Sequence, residues 1–135
     1  MKPRVYLSHS SVDRASARQL ADALRRRALD VASADSVSAP GENWAASVGK
    51  ALDQSDAMVV LLTPHSVDSE WVRRDIEYAL TSQRFAHRLI PVVIGREDPD
   101  WMSRVPWVLK RLKLVSSPSV AKASQQVASA LAEVH

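Results

Sequence analysis

Ala57-Met58-Val59-Val60-Leu61-Leu62-Thr63, closed by Pro64, decides the fold. A strand with one wet face alternates apolar and polar side chains. Here Ala57 to Leu62 are apolar without interruption, as in a central strand of a parallel sheet that is covered on both faces. Such a strand needs helices on either side, and the flanking sequence supplies them. Downstream, the spacing of Val72, Ile76, Ala79 and Leu80 predicts a helix over about Asp68–Gln83. Upstream, a helix opening near Asn43 turns Trp44, Val48, Ala51 and Leu52 inward.

The same alternation runs to both ends of the chain. Arg4 to Ser8 reads as a strand centred on Val5, Tyr6 and Leu7. Ser10 or Ser11 can cap the next helix, whose stripe is Ala17, Leu20, Ala21 and Leu24. Leu29 to Ala32 is a weaker strand. Leu89 to Ile94 is a stronger one, although Pro91 lacks a ladder donor. Gly95 to Lys110 has no clean period and is expected to be an irregular connection with one helical turn at most, from which Trp101 and Trp107 cover the core. Leu112 to Val115 reads as the last strand. Ser117 and Pro118 read as the cap and first residue of a helix burying Val120, Ala123, Val127, Leu131 and Val134. Five strands alternating with helices predict a single α/β domain over residues 1–135, a three-layer sandwich around a five-stranded parallel sheet. Ligands bind such sheets beyond the carboxyl ends of the strands. Those ends are Ser8-His9-Ser10, the loop from Ala34, Thr63-Pro64-His65 and Gly95.

Composition narrows the class. Of 135 residues, 46% are hydrophobic and 24% charged, a globular balance. The absence of cysteine removes disulfides and thiolate chemistry and fits a reducing compartment. The sequence shows neither a signal-peptide pattern nor an apolar run of membrane length, so a cytoplasmic location is expected. The net charge is +3, and the basic residues fall in separate clusters at Arg25 to Arg27, Arg73-Arg74 and Lys110 to Lys113. A nucleic-acid surface would want a continuous basic stripe with interleaved aromatics, and aromatics are only 5%.

Several chemistries are excluded by what the strand ends lack. Three glycines, Gly41, Gly49 and Gly95, cannot write a dinucleotide fingerprint or a P-loop. A phospho-acceptor site would need acidic residues after the first strand and an aspartate ending the third. Those positions hold Ser8-His9 and Thr63-Pro64. His9 and His65 follow strands expected to be neighbours, but two imidazoles without a third ligand make no metal site.

The most specific stretch is Ser69-Glu70-Trp71-Val72-Arg73-Arg74-Asp75-Ile76-Glu77-Tyr78. It stands in order with Val5-Tyr6-Leu7-Ser8-His9-Ser10 and Asp13, with Asp35 to Trp44 and its Pro40-Gly41 turn, with Ala51-Leu52 and Ser55-Asp56 before the long apolar strand, and with Leu89-Ile90-Pro91-Val92. This ordered set resembles the TIR family, in its bacterial branch, over roughly residues 3 to 115 and most weakly after Gly95. The resemblance implies a flavodoxin-like fold. It also implies cleavage of NAD+ at the nicotinamide–ribose bond, with NAD+ as substrate and no further cofactor. The domain would act in signalling or anti-phage defence and be activated when a fused or partner module oligomerises it. The loop at 34–43 would gate the site and mediate head-to-tail assembly between TIR domains.

The family's catalytic glutamate lies four residues after the helix's first tryptophan, and here that position is Asp75. The nearest glutamate, Glu77, lies about 200° around the helix at 100° per residue and cannot substitute. Asp75 shares its flank with Trp71, Tyr78 and Ser82, whereas Glu77 shares its own with Arg73 and Arg74. On the resemblance, Asp75 is the acid, and Trp71 and Tyr78 shape its wall. Ser8, His9 and Ser10, with Asp35 and Trp44 from the loop, then contact the dinucleotide. As a carboxylate on a helix flank, Asp75 is expected to tolerate replacement by alanine or glutamate with little change in stability. Aspartate is one methylene short, so a TIR adaptor acting only by assembly, or a sensor that binds NAD+ without cleaving it, remains an alternative. If the 34–43 loop is functional, replacing Pro40 with a bulky charged residue abolishes self-association or turnover while the melting temperature stays near wild type. A variant that assembles and reacts normally makes the loop a passive surface.

Overall fold

The computed structural model describes residues 3–33, 44–81, 88–96, 98–112 and 114–134, with the side chains of 44–48 and 133–134 left aside. In chain order come β1 (Arg4–Ser8), α1 (Arg14–Arg25), β2 (Asp30–Ser33), α2 (Trp44–Asp53), β3 (Ala57–Leu61), α3 (Glu70–Thr81), β4 (Leu89–Ile94), α4 (Pro99–Met102), α5 (Trp107–Lys110), β5 (Val115–Ser117) and α6 (Val120–Val134). Every strand pair is parallel, in the order β2-β1-β3-β4-β5. The expected flavodoxin-like architecture is the one observed.

Strand alternation divides the core in two. Val5, Leu7, Val59, Leu61 and Val92 face α1 and α6, packing with Leu20, Leu24, Ala123 and Val127. Tyr6, Met58, Val60 and Val93 face the other layer, with Leu52, Val72, Ile76, Trp101 and Leu109. Pro91 is tolerated inside β4. The bonds Leu62 N to Val92 O and Met58 N to Arg88 O turn the alternate residues, Pro91 among them, away from β3, and β5 starts only opposite Val92.

Five local expectations shift. β2 starts one residue late, at Asp30. Ser10 does not cap α1, because a 3-10 turn over Ser11–Asp13 intervenes. The 95–110 connection holds two short helices, α4 and α5. Its Trp101 is buried as expected, but Trp107 is 68% exposed, with Arg111 over its ring. The last strand lies at Val115–Ser117 rather than 112–115, because the turn ending α5 keeps Leu112 N on Leu109 O. Ser117 therefore pairs with Ile94, and Ser119 caps α6 by accepting from Lys122 N at 3.2 Å. Pro118 precedes that cap instead of following it.

The end of α1 contains a strained position. Ala28 has φ 65°, in the left-handed region, where Leu29 N reaches back to Leu24 O and seats Leu29 in the core. A Cβ is unfavourable there. Ala28→Gly is expected to stabilise the protein by roughly 0.5–1 kcal/mol, read from chemical denaturation. A loss of stability would show that φ at Ala28 is not strained.

Candidate functional site

β1 and β3 lie side by side with Ser8 opposite Val60, so the loops that follow them emerge together. Two buried carboxylates gather there. The first is Asp13, in the 3-10 turn after β1. Its Oδ2 accepts the Ser10 hydroxyl at 2.7 Å and also the Thr63 hydroxyl from the end of β3. Thr63 Oγ1 in turn accepts the backbone N–H of His65 and of Ser66, and the Ser66 hydroxyl accepts from Thr63 N. This network ties the two strand-end loops together. Sequence reasoning gave Asp13 only a family match and treated Thr63 as a strand end. The Ser10-x-x-Asp13 and Thr63-x-x-Ser66 spacings were the available signal.

The second is Asp75, on α3. Sequence reasoning placed it on an open helix flank, but it is only 4% exposed. Tyr6 and Ser8 share one face of β1, α3 packs on that face, and the Ser8 hydroxyl donates to Asp75 Oδ2 at 2.7 Å. Asp75 Oδ1 is buried and has no hydrogen-bond partner among the described residues. Burial pushes the carboxyl up to about 7, against the opposing pull of the Ser8 hydrogen bond.

The rest of the flank is more open. Trp71, one turn before Asp75, is 52% exposed, with the Arg74 guanidinium 5.5 Å from its ring centre. Arg74 therefore belongs to Trp71's side of the helix, not to that of Glu77. Tyr78 is 39% exposed, and its hydroxyl donates to Asp53 Oδ1 at 3.0 Å, linking α3 to the end of α2. That bond raises the Tyr78 pKa. Glu77 lies on the opposite flank, as expected, and lines a separate apolar groove of about 210 Å³ with Arg73, Leu80, Arg104 and Pro106.

The side chains of the strand-end residues Ser8, His9 and Ser10 point to different surroundings. Ser8 faces Asp75 and Ser10 faces Asp13. His9 Nδ1 bonds the Ser10 carbonyl, and the ring lines a cavity of about 330 Å³ against α1, with Arg18, Asp22, Arg25 and Ser33. Asp35 and the 34–43 loop lie outside the described residues, as do Ser82 and the side chain of Trp44. Among the described residues no three His, Asp or Glu side chains are grouped to hold a metal. No helix there is long and apolar enough to cross a membrane.

Comparison with known proteins gives the same outline. Residues 5–131 match the family model of the TIR domain. The TIR domain of the Toll-related receptor TRR-2 from Hydra magnipapillata superposes with a TM-score of 0.67 at 18% identity, covering 83% of this chain and 82% of that one. The metazoan TIR-STING receptor from C. gigas, solved with 2',3'-cGAMP, gives 0.76 at 22% identity over 93% of this chain but only 38% of the receptor. The TIR domains of the activated Roq1 resistosome, which recognises the effector XopQ, give 0.69 at 16% identity over 99% and 100%. A comparison with curated protein sequences gave no match.

The raised carboxyl makes stability depend on pH. Asp75 titrates near 3.8 when unfolded and near 7 when folded, so its protonation favours folding. That contribution is complete below about pH 4 and is lost as pH rises through 7, on the order of a few kcal/mol at most. Asp75→Asn removes the titration and keeps an acceptor for Ser8. Its melting temperature relative to wild type is expected to rise between pH 5 and pH 8.5. A difference that stays flat across that range would mean that Asp75 is not desolvated.

Proposed function

The chain belongs to the TIR domain family, and from that premise we propose that it cleaves NAD+ at the nicotinamide–ribose bond when copies of it are assembled. The observation that carries this reading is Asp75 itself, 4% exposed, whose Oδ1 has no hydrogen-bond partner among the described residues. Leaving a buried carboxylate oxygen unsatisfied costs stability. Groups kept in that condition are concentrated at functional sites. The position, one helical turn after Trp71, is the one the family resemblance assigns to the acid.

In the reaction, the bond from ribose carbon to nicotinamide nitrogen breaks and its electron pair leaves with neutral nicotinamide. The ribosyl carbon becomes cationic in the transition state, where a nearby carboxylate stabilises it. Water then adds its oxygen to that carbon and releases a proton, giving ADP-ribose. Asp75 supplies the negative charge, and Trp71 on the same flank offers an aromatic face beside it. Because Asp75 is sealed in the single chain, a ribose reaches it only after the surrounding loops rearrange. Contact with a neighbouring copy is the natural trigger, so activity should depend on assembly. The resemblance to the bacterial branch sets this activity in a cell-signalling or defence role.

The same burial favours one rival. A short carboxyl, pushed up to about 7 and closed off against Ser8, also suits a TIR domain that has lost chemistry and acts only as an assembly scaffold.

Fused to a strong oligomeric scaffold and given NAD+, the wild-type chain is expected to release nicotinamide, followed by chromatography, while dilute monomer releases little. Asp75→Asn should abolish release in the assembled form. Asp75→Glu, which must fit another methylene into a closed site, is expected to cost about 1–3 kcal/mol of stability. It should lower turnover with it, in contrast to the tolerance expected of an exposed flank. No release from assembled wild type leaves the scaffold reading. Equal release from dilute monomer sinks the assembly requirement.

A further inference from the structure

The family resemblance makes Ser8 a contact of the dinucleotide; in the structure its hydroxyl is turned to Asp75. It ends β1, where pairing with Val60 fixes the backbone on the central rows of the sheet. The residue is 1% exposed and sits beneath α3. A serine hydroxyl has one hydrogen to donate, and here it goes to Asp75 Oδ2 at 2.7 Å. Oδ2 is thereby occupied, and rotation of the carboxyl group is restrained by a side chain anchored in the sheet. Oδ1 is left as the oxygen with unused acceptor capacity.

We propose that Ser8 is a positioning residue: by holding Oδ2 it sets the plane of the Asp75 carboxylate and leaves Oδ1 as the single acceptor for a ribose hydroxyl of the substrate. The proposal rests on the NAD+ reading above and assigns its site a part it lacked. Direct contact between Ser8 and substrate is disfavoured, because the residue is buried and the one hydrogen of its hydroxyl is given to Asp75. The bond has a second effect, since it favours the ionised carboxylate that burial disfavours. Among the described residues no charged side chain is a cause of that balance. Tyr78, the titratable group on the same flank of α3, donates its hydroxyl to Asp53 at the end of α2.

The test uses the full chain on an oligomeric scaffold, with Ser8→Ala and Ser8→Thr. NAD+ turnover is followed against pH, and the Asp75 carboxyl is titrated by carbon-13 NMR. Ser8→Ala should lower kcat by about tenfold or more while KM changes less than about threefold. The acid limb of kcat, set near pH 7 by Asp75, should move to higher pH together with the NMR midpoint. Ser8→Thr, which keeps a hydroxyl, should recover most of kcat, and thermal melts identify any variant that fails to fold. A rise in KM alone would overturn the proposal by making Ser8 a substrate contact. An unchanged kcat with an unchanged acid limb would also overturn it. If assembled wild type releases no nicotinamide, the NAD+ reading fails. A midpoint that still rises in Ser8→Ala then upholds the Ser8–Asp75 coupling, and one that stays put removes it too.

Discussion

The structure depends on the burial of β3 from both sides. Ala57 to Leu61 are each at most 1% exposed, and no strand with one wet face could be covered so completely. Two helical layers are therefore required, and crossovers between parallel strands provide them. Parallel strands put all their carboxyl ends at one edge. The β1–β3 pairing then brings Ser8 and Thr63 to neighbouring positions on that edge. α3, which covers the face made by Tyr6, Met58 and Val60, sets Asp75 on Ser8. The candidate site is thus a consequence of how the central strand is covered.

Two carboxylates at that edge differ in how their burial is compensated. Asp13 receives two hydroxyls and joins the ends of β1 and β3, so its burial is compensated by what it holds together. Asp75 receives one hydroxyl and keeps a second oxygen unmatched. A purely structural role would be served as well by asparagine or by an apolar residue of similar size. On the proposed function, the imbalance at Asp75 is capacity held for a ligand, the kind of local disagreement with folding that active sites tend to show.

Much of this was legible in the sequence, because period is a strong signal. The unbroken run at 57–62, the alternating elements around it and the 200° separation of Asp75 from Glu77 follow from residue types and helix geometry alone. What escaped depends on the third dimension. A helical wheel places Asp75 on a flank but cannot say that β1 closes over that flank. Ser8, His9 and Ser10 are consecutive, yet strand alternation sends Ser8 and His9 to opposite faces of the sheet. The late start of β5 and the exposure of Trp107 reflect a short helix, α5, whose sequence has no clean period. Ala28 was missed because a left-handed helix end without glycine leaves no sequence mark.

On the proposed function, Asp75 Oδ1 is held for the ribose of a bound dinucleotide. The most direct measurement is a structure of the assembled protein with a non-hydrolysable NAD+ analogue. A ribose hydroxyl is expected within hydrogen-bonding distance of Oδ1, roughly 2.6–3.2 Å, with Oδ2 still on Ser8. An assembled structure in which the analogue lies elsewhere, and Asp75 stays closed against Ser8 with Oδ1 untouched, would contradict it.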